Sequence, residues 1–277
     1  MVLLFAPTPQ EAWPRWAVMI LIAVTLYAGF KVWTWWRYSG PAAPLWKHAA
    51  YLLAWPGMEP QSFLAPPLTP LPRPTVTEWA MAVAKTTFGV VLLRFAPELA
   101  ARQPWYGGWL CMISIGFCLH FGLLHLVSCA YRAIGIPALP LMDRPFYADS
   151  LSDLWGRRWN RGFRDLVHRG WFVPLAARYG PDRAMLAVFL ISGLIHELAI
   201  TVPAGGGWGR PTAYFLLQSL GLTLERTRRG RWLGLGRGWR GWLWTALFVI
   251  GPVNLLFPEA FVSGVMAPFA VWLGELR

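Results

Sequence analysis

A series of long apolar runs that almost exclude charge restricts this fold more than any other feature of the sequence. Trp16 to Trp36 contains one charged residue, Lys31, and Ala184 to Val202 contains only His196 and Glu197 as ionisable groups. The hydrocarbon core of a bilayer takes about 20 consecutive apolar residues as a helix. Helix is also the form that satisfies every backbone N–H and C=O within one such segment. Seven stretches meet or approach that length: Trp16 to Trp36, Val76 to Ala96, Trp109 to Tyr131, Ala184 to Val202, Pro211 to Leu224, Trp242 to Phe257 and Phe261 to Leu273. Leu45 to Trp55 is apolar but short, which suits an interfacial or re-entrant helix. The expected architecture is therefore all-α, a polytopic membrane bundle of about seven to eight transmembrane helices with interfacial amphipathic helices beside them.

Composition agrees with that solvent. The chain is 56% hydrophobic, 14% charged and has a mean hydropathy of +0.42, too little polar surface to cover a water-soluble globule. The net charge of +12 raises nucleic acid as a partner, but no recognition motif accompanies it. The basic residues instead flank the apolar runs, where they set topology or meet anionic lipid and cofactor phosphates. Residues 37–75, 132–183 and 226–240 carry three, nine and six of the 25 Lys and Arg. The positive-inside rule then predicts an outside N-terminus and a cytoplasmic C-terminus. No basic stretch or small-residue cleavage site precedes the first run, so it is expected to remain as a span. The prolines at 66, 67, 70, 72 and 74 predict an extended connector. Cys111, Cys118 and Cys129 show neither a disulfide framework nor zinc-site spacing. With no internal repeat, residues 1–277 read as one membrane-embedded unit.

Between Asp143 and Arg183 the composition turns basic and aromatic. Ser150 and Asp153 have capping-box spacing. From there Leu151, Leu154, Trp155, Trp159, Phe163, Leu166 and Val167 recur at three- and four-residue steps, with Arg157, Arg158, Arg161, Arg164, Asp165 and Arg169 on the other arc. That pattern predicts an amphipathic interfacial helix. Asn160 falls at the boundary of the two arcs, and the arginines suit either anionic lipid or a phosphate-rich cofactor, because guanidinium binds phosphate oxygens bidentately.

His196 stands ~4 to 5 Å past the midpoint of its run. An ionisable group at that depth is a functional candidate that should face a cavity or the bundle interior. A neutral imidazole can accept and later release a proton, as general-base activation of a hydroxyl requires. Adjacent helical residues point about 100° apart, so Glu197 is not expected to pair directly with His196. Two readings stay open from the residues: an acid-base enzyme site, and a proton-coupled transporter or channel using His196 and Glu197. His120 and His125 are secondary, with no metal-ligand spacing, and His48 and His168 are expected at interfaces.

The run Asp153-Leu154-Trp155-Gly156-Arg157-Arg158-Trp159-Asn160, followed by His196-Glu197 in an apolar span, resembles the membrane-bound O-acyltransferase family, especially its wax-synthase-like branch. The resemblance is clearest from Pro145 to Glu225, the motif-bearing core 145–225. It implies transfer of an acyl group from acyl-CoA, a co-substrate and not a tightly bound cofactor, to the hydroxyl of a lipophilic alcohol within a membrane tunnel. It further implies His196 as general base and Asn160 orienting a reactant or stabilising developing charge. Trp155, Arg157, Arg158, Trp159, Arg161, Arg164 and Glu197 would then surround the acyl-CoA, and no metal is implied.

Overall fold

The computed structural model describes residues 13–66 and 72–276. Residues 1–12, 67–71 and Arg277 lie outside that range, and with them part of the expected proline connector and of the expectation about the N-terminus. Among the described residues the protein is all-helical, and its long apolar helices make it an integral membrane protein.

Among the described residues, four helices are long and apolar enough to cross a bilayer: α1 (Arg15–Trp36), α2 (Val76–Arg102), α3 (Pro104–Ala133) and α4 (Pro181–Ala204). A fifth span forms if Gly238–Leu256 and Glu259–Glu275, bent by 61° at their junction, are taken together. The seven to eight spans expected from hydropathy are not reached, and the C-terminal third explains the difference. The last two apolar runs are halves of one bent unit broken near Pro258, whose ring removes a backbone donor. The preceding run becomes α5 (Arg210–Arg226), too short for the same test and bounded by arginines at both ends. It buries Gln218 and Glu225 on one stripe with Phe215 and Leu222. That stripe faces protein, while Leu216, Leu220 and Leu224 on another face of α5 are exposed.

Burial separates the spans by role. One-third of the apolar window of α4 is enclosed (33%), against 11% for α1. The large exposed side chains of α1, such as Leu21 and Val24, have lipid as their remaining neighbour. α4 packs on α5 through Gly193, where a side chain would run into the Thr212 backbone at 2.7 Å. After α4 the chain reverses through Gly205, Gly207 and Gly209, all at positive φ, which glycine adopts without a Cβ penalty. Pro211 then sits in the first turn of α5, where its missing N–H costs no hydrogen bond.

Leu45–Leu53 is a nine-residue helix, as the length of its run predicts for a non-spanning element. The continuous amphipathic helix expected from Leu151 onward is instead broken into pieces. A helical turn over Leu151–Asp153 passes into a π-helical turn over Leu154–Arg158, closed by the Trp159 N–H donating to the Leu154 carbonyl at 2.8 Å. Asn160 then takes φ 39°, ψ 63°, and a new helix runs Arg161–Val167. Asn tolerates the left-handed region better than most side chains because its short amide hydrogen-bonds locally, which is why the break falls there.

Candidate active site

His196 is the last residue of the regular part of α4, and the helix widens immediately into a π-helical turn, Glu197–Thr201. Such turns occur often at functional sites, since the extra residue re-aims neighbouring side chains. The His196 Nδ1 lies 2.7 Å from the Ser192 carbonyl oxygen. A carbonyl can only accept, so Nδ1 carries the proton and the lone pair resides on Nε2. The ring leans on Phe215 of α5, centroids 4.5 Å apart.

From Phe215 an aromatic run leads back to the basic segment. Trp155 lies 6.0 Å from Phe215 and 6.1 Å from Phe189, and Trp159 lies 6.3 Å from Trp155. Asn160 follows Trp159 in sequence, so the two motifs, 36 residues apart, are joined in space by Trp159, Trp155 and Phe215. No hydrogen bond among the described residues links Asn160 to His196 directly. The Trp155 indole N–H donates to Gln218 Oε1 at 3.3 Å, and Gln218, fully enclosed, donates through Nε2 to the Phe248 carbonyl at 2.6 Å.

Glu197 faces the start of α5. Its carboxylate accepts from the Thr212 N–H at 3.1 Å and the Thr212 hydroxyl at 2.9 Å. The Thr201 hydroxyl lies 2.7 Å from its other oxygen and from the Glu197 main-chain carbonyl, and donates to one at a time. Because Gly209 supplies no side-chain cap, Glu197 caps α5 from another helix, satisfying an orphan donor and the positive end of the dipole. At the other end of α5, Glu225 in turn caps the start of the Trp-Arg segment, accepting from the Leu151 N–H at 2.8 Å and the Ser152 N–H at 3.1 Å. One helix thus fixes both the π-turn beside His196 and the start of the Trp-Arg segment.

Asn160 is itself a cap. Its Oδ1 accepts from the Phe163 N–H at 3.2 Å, and its backbone N–H points to Met142 Sδ at 3.3 Å. Among the described residues nothing accepts a hydrogen bond from its Nδ2 group. Buried Asp153 orients two arginines: Arg157 Nε donates to it at 2.8 Å, and Arg158 Nε binds its other oxygen. That bond holds the Arg158 guanidinium even further above its usual range. Arg157 spends only Nε on the carboxylate, so its two terminal NH2 groups face solvent. Arg161 lies 3.6 Å from Asp143, and Arg164 pairs with Asp165 at 2.9 Å. Burial raises the Asp165 carboxyl against the pull of Arg164, and burial likewise raises Glu59, which Arg169 pairs at 2.8 Å.

A second polar cluster lies away from this run. Glu78 of α2 accepts from His125 Nε2 at 3.2 Å and from Arg132, both on α3, and Cys129 completes a group whose ligating atoms fall within 4.8 Å of one another. Arg132 Nη2 bonds Glu78 and also reaches Cys129 Sγ at 3.6 Å, so the guanidinium stands where a cation would. Sequence spacing on α3 alone did not reveal the cluster, because its carboxylate comes from the neighbouring helix. It also gave no prominence to Phe189, Phe215, Gln218 and Glu225. The signal available was Gln218 and Glu225 recurring at helical spacing with Phe215 and Leu222 inside an apolar run.

Among known proteins, residues 138–217 match the model of the membrane bound O-acyl transferase family. The long-chain-alcohol O-fatty-acyltransferase of Simmondsia chinensis is 30% identical over 167 residues, which are 53% of this chain and 46% of that protein. The probable long-chain-alcohol O-fatty-acyltransferase 1 of Arabidopsis thaliana is 28% identical over 192 residues, 63% of this chain and 53% of that protein. The acyl-CoA–sterol O-acyltransferase 1 of the same plant is 31% identical over 136 residues, 43% and 38% of the two chains. The chain spans about half the length of the first two relatives.

Proposed function

We propose that this chain is a member of the membrane bound O-acyl transferase family, whose model its residues 138–217 match, and that, like the long-chain-alcohol O-fatty-acyltransferases it resembles, it transfers an acyl group from acyl-CoA to the hydroxyl of a lipophilic alcohol within the membrane. The observation that carries the reading is the orientation of His196: its Nδ1–H is held by the Ser192 carbonyl, and Nε2 keeps its lone pair beside an aromatic run. Nε2 removes the acceptor hydroxyl's proton as the oxygen attacks the thioester carbonyl, and the thiolate of CoA departs and takes a proton. A thioester is reactive enough that this direct attack needs no tightly bound cofactor and no covalent enzyme intermediate. Holding both reactants together supplies much of the rate, and the apolar wall of Trp155, Phe189 and Phe215 limits competing hydrolysis by excluding water.

Asn160, its Oδ1 engaged in the cap, offers the two Nδ2 donors to a reactant carbonyl as charge develops there. Arg157 and Arg158, oriented by Asp153, with Arg161 and Arg164 on the following helix, hold the phosphates of CoA. Trp155 and Trp159 flank the acyl group as it enters. Glu197 contributes by fixing the π-turn and the start of α5. The charge asymmetry of the loops puts this basic segment and the C-terminus on the cytoplasmic side, where acyl-CoA is available, and the N-terminus outside. Residues 1–277 act as one unit around the core 145–225.

Acyl-CoA-dependent release of CoA thiol by the purified protein in liposomes, with and without a panel of alcohols, tests this reading. Alcohol-stimulated release in wild type that is lost in His196→Ala, with the variant still folded, is the expected result. Undiminished release in the variant removes His196 from the chemistry. The absence of release with any donor, from folded protein, favours a transport role for the buried histidine.

A further inference from the structure

Residues 226–240 contain six arginines, at 226, 228, 229, 231, 237 and 240, and no Asp or Glu. All six are exposed, and none forms an ion pair with a carboxylate among the described residues. They contrast with Arg157, Arg158, Arg161 and Arg164, each of which already has a carboxylate partner. Trp232 and Trp239 stand out among them, 83% and 71% exposed.

Beside this rim an apolar groove of about 450 Å³ is formed by Leu233, Leu235, Trp239, Leu243, Trp244 and Leu247, with Arg240 at its edge. The groove follows one face of the helix Gly238–Ile250, and further along that helix Ile250 is also exposed. The start of the helix has no side-chain cap, so its first N–H groups add positive potential at the same end as the arginines.

We propose that this rim and groove bind an anionic phospholipid, with the phosphate between Arg237 and Arg240 and one acyl chain along Trp239, Leu243 and Leu247. Guanidinium groups that lack a carboxylate partner bind phosphate oxygens in a fork. Basic residues next to a span attract anionic lipid. The groove decides the source of the phosphate. Its apolar wall follows one face of the helix Gly238–Ile250, which a free nucleotide would leave unfilled, and competition by CoA separates a lipid from acyl-CoA, which also carries phosphate and an acyl chain. The site is tied to the Trp-Arg segment: the Trp242 indole donates to the Phe146 carbonyl at 2.9 Å, and Arg226 donates to the Ser152 hydroxyl at 3.3 Å. This inference stands independently of the acyl-transfer reading.

The test uses the full chain in phosphatidylcholine vesicles containing a minor fraction of phosphatidylglycerol, with bromine on the acyl chains of one lipid at a time. Bromine quenches nearby tryptophan, and Trp239 and Trp244 line the groove. Phosphatidylglycerol is expected to quench at about one-tenth the membrane fraction that phosphatidylcholine needs, the preference shrinking as salt is raised. The double variant Arg237→Gln, Arg240→Gln should bring the two lipids close to parity. Trp239→Phe should remove much of the selective quenching. Equal quenching by both lipids in wild type overturns the proposal, and that comparison needs no variant to fold. A preference that survives in the double variant, or one that added CoA abolishes, overturns it as well; the latter would assign the rim to the nucleotide.

Discussion

Replacing Glu197 separates a structural carboxylate from a chemical one. In Glu197→Gln the amide oxygen can still accept from the Thr212 N–H, and the Thr201 hydroxyl can rotate to accept from the new NH2 group. What is lost is the negative charge at the N-terminus of α5, where three hydrogen bonds now converge on the carboxylate. A charge at a partly buried helix terminus contributes about 0.3 to 2 kcal/mol, so Glu197→Gln should cost about 1 kcal/mol. Glu197→Ala also strands the Thr212 N–H and hydroxyl, adding about 1 to 3 kcal/mol. Hydrogen bonds between membrane helices run toward the lower end of that range, which puts the alanine variant at about 2 to 3 kcal/mol in all. Unfolding in mixed micelles of increasing SDS fraction, followed by tryptophan fluorescence, measures both. Thiol release per folded molecule should be nearly unchanged in Glu197→Gln. If that variant keeps wild-type stability yet loses about 10²-fold or more in turnover, the range of general acid-base catalysis, then the carboxylate acts on a reactant and the capping account is wrong.

Two further substitutions test the remaining framework. At Asn160, glycine keeps the left-handed backbone but not the amide, whereas alanine loses both; Asn160→Ala should be less stable than Asn160→Gly by about 1 kcal/mol, while both lose turnover to a similar extent. Recovery of full turnover in Asn160→Gly, measured by thiol release, would reduce Asn160 to a backbone role. Gln218→Leu retains volume but leaves the Trp155 N–H and the Phe248 carbonyl unpaired, which should cost about 1 to 3 kcal/mol and change the near-UV circular dichroism of the buried indole. An unchanged spectrum and unfolding midpoint would mean that Trp155 is held by ring packing alone.

Much of this protein was legible residue by residue. The long charge-poor runs determined an all-helical membrane protein, because a backbone without water must pair with itself locally. The Trp-Arg segment ending in Asn160 and the mid-span His196 were legible as a pair, since buried ionisable groups and basic-aromatic mixtures stand out against apolar surroundings. Three things depended on the tertiary structure. Run length alone counted seven spans, but whether Arg210–Arg226 faces lipid or protein depends on what packs against its Gln218 and Glu225 stripe. Periodicity drew one amphipathic helix through Asn160, whereas the local hydrogen bonds of an asparagine at positive φ end one helix and start the next. The role of Glu197 was hidden because its partner, Thr212, lies across a glycine turn on another helix. Sequence spacing constrains contacts within one helix, and contacts between helices exist only once Gly193 lets α4 and α5 approach.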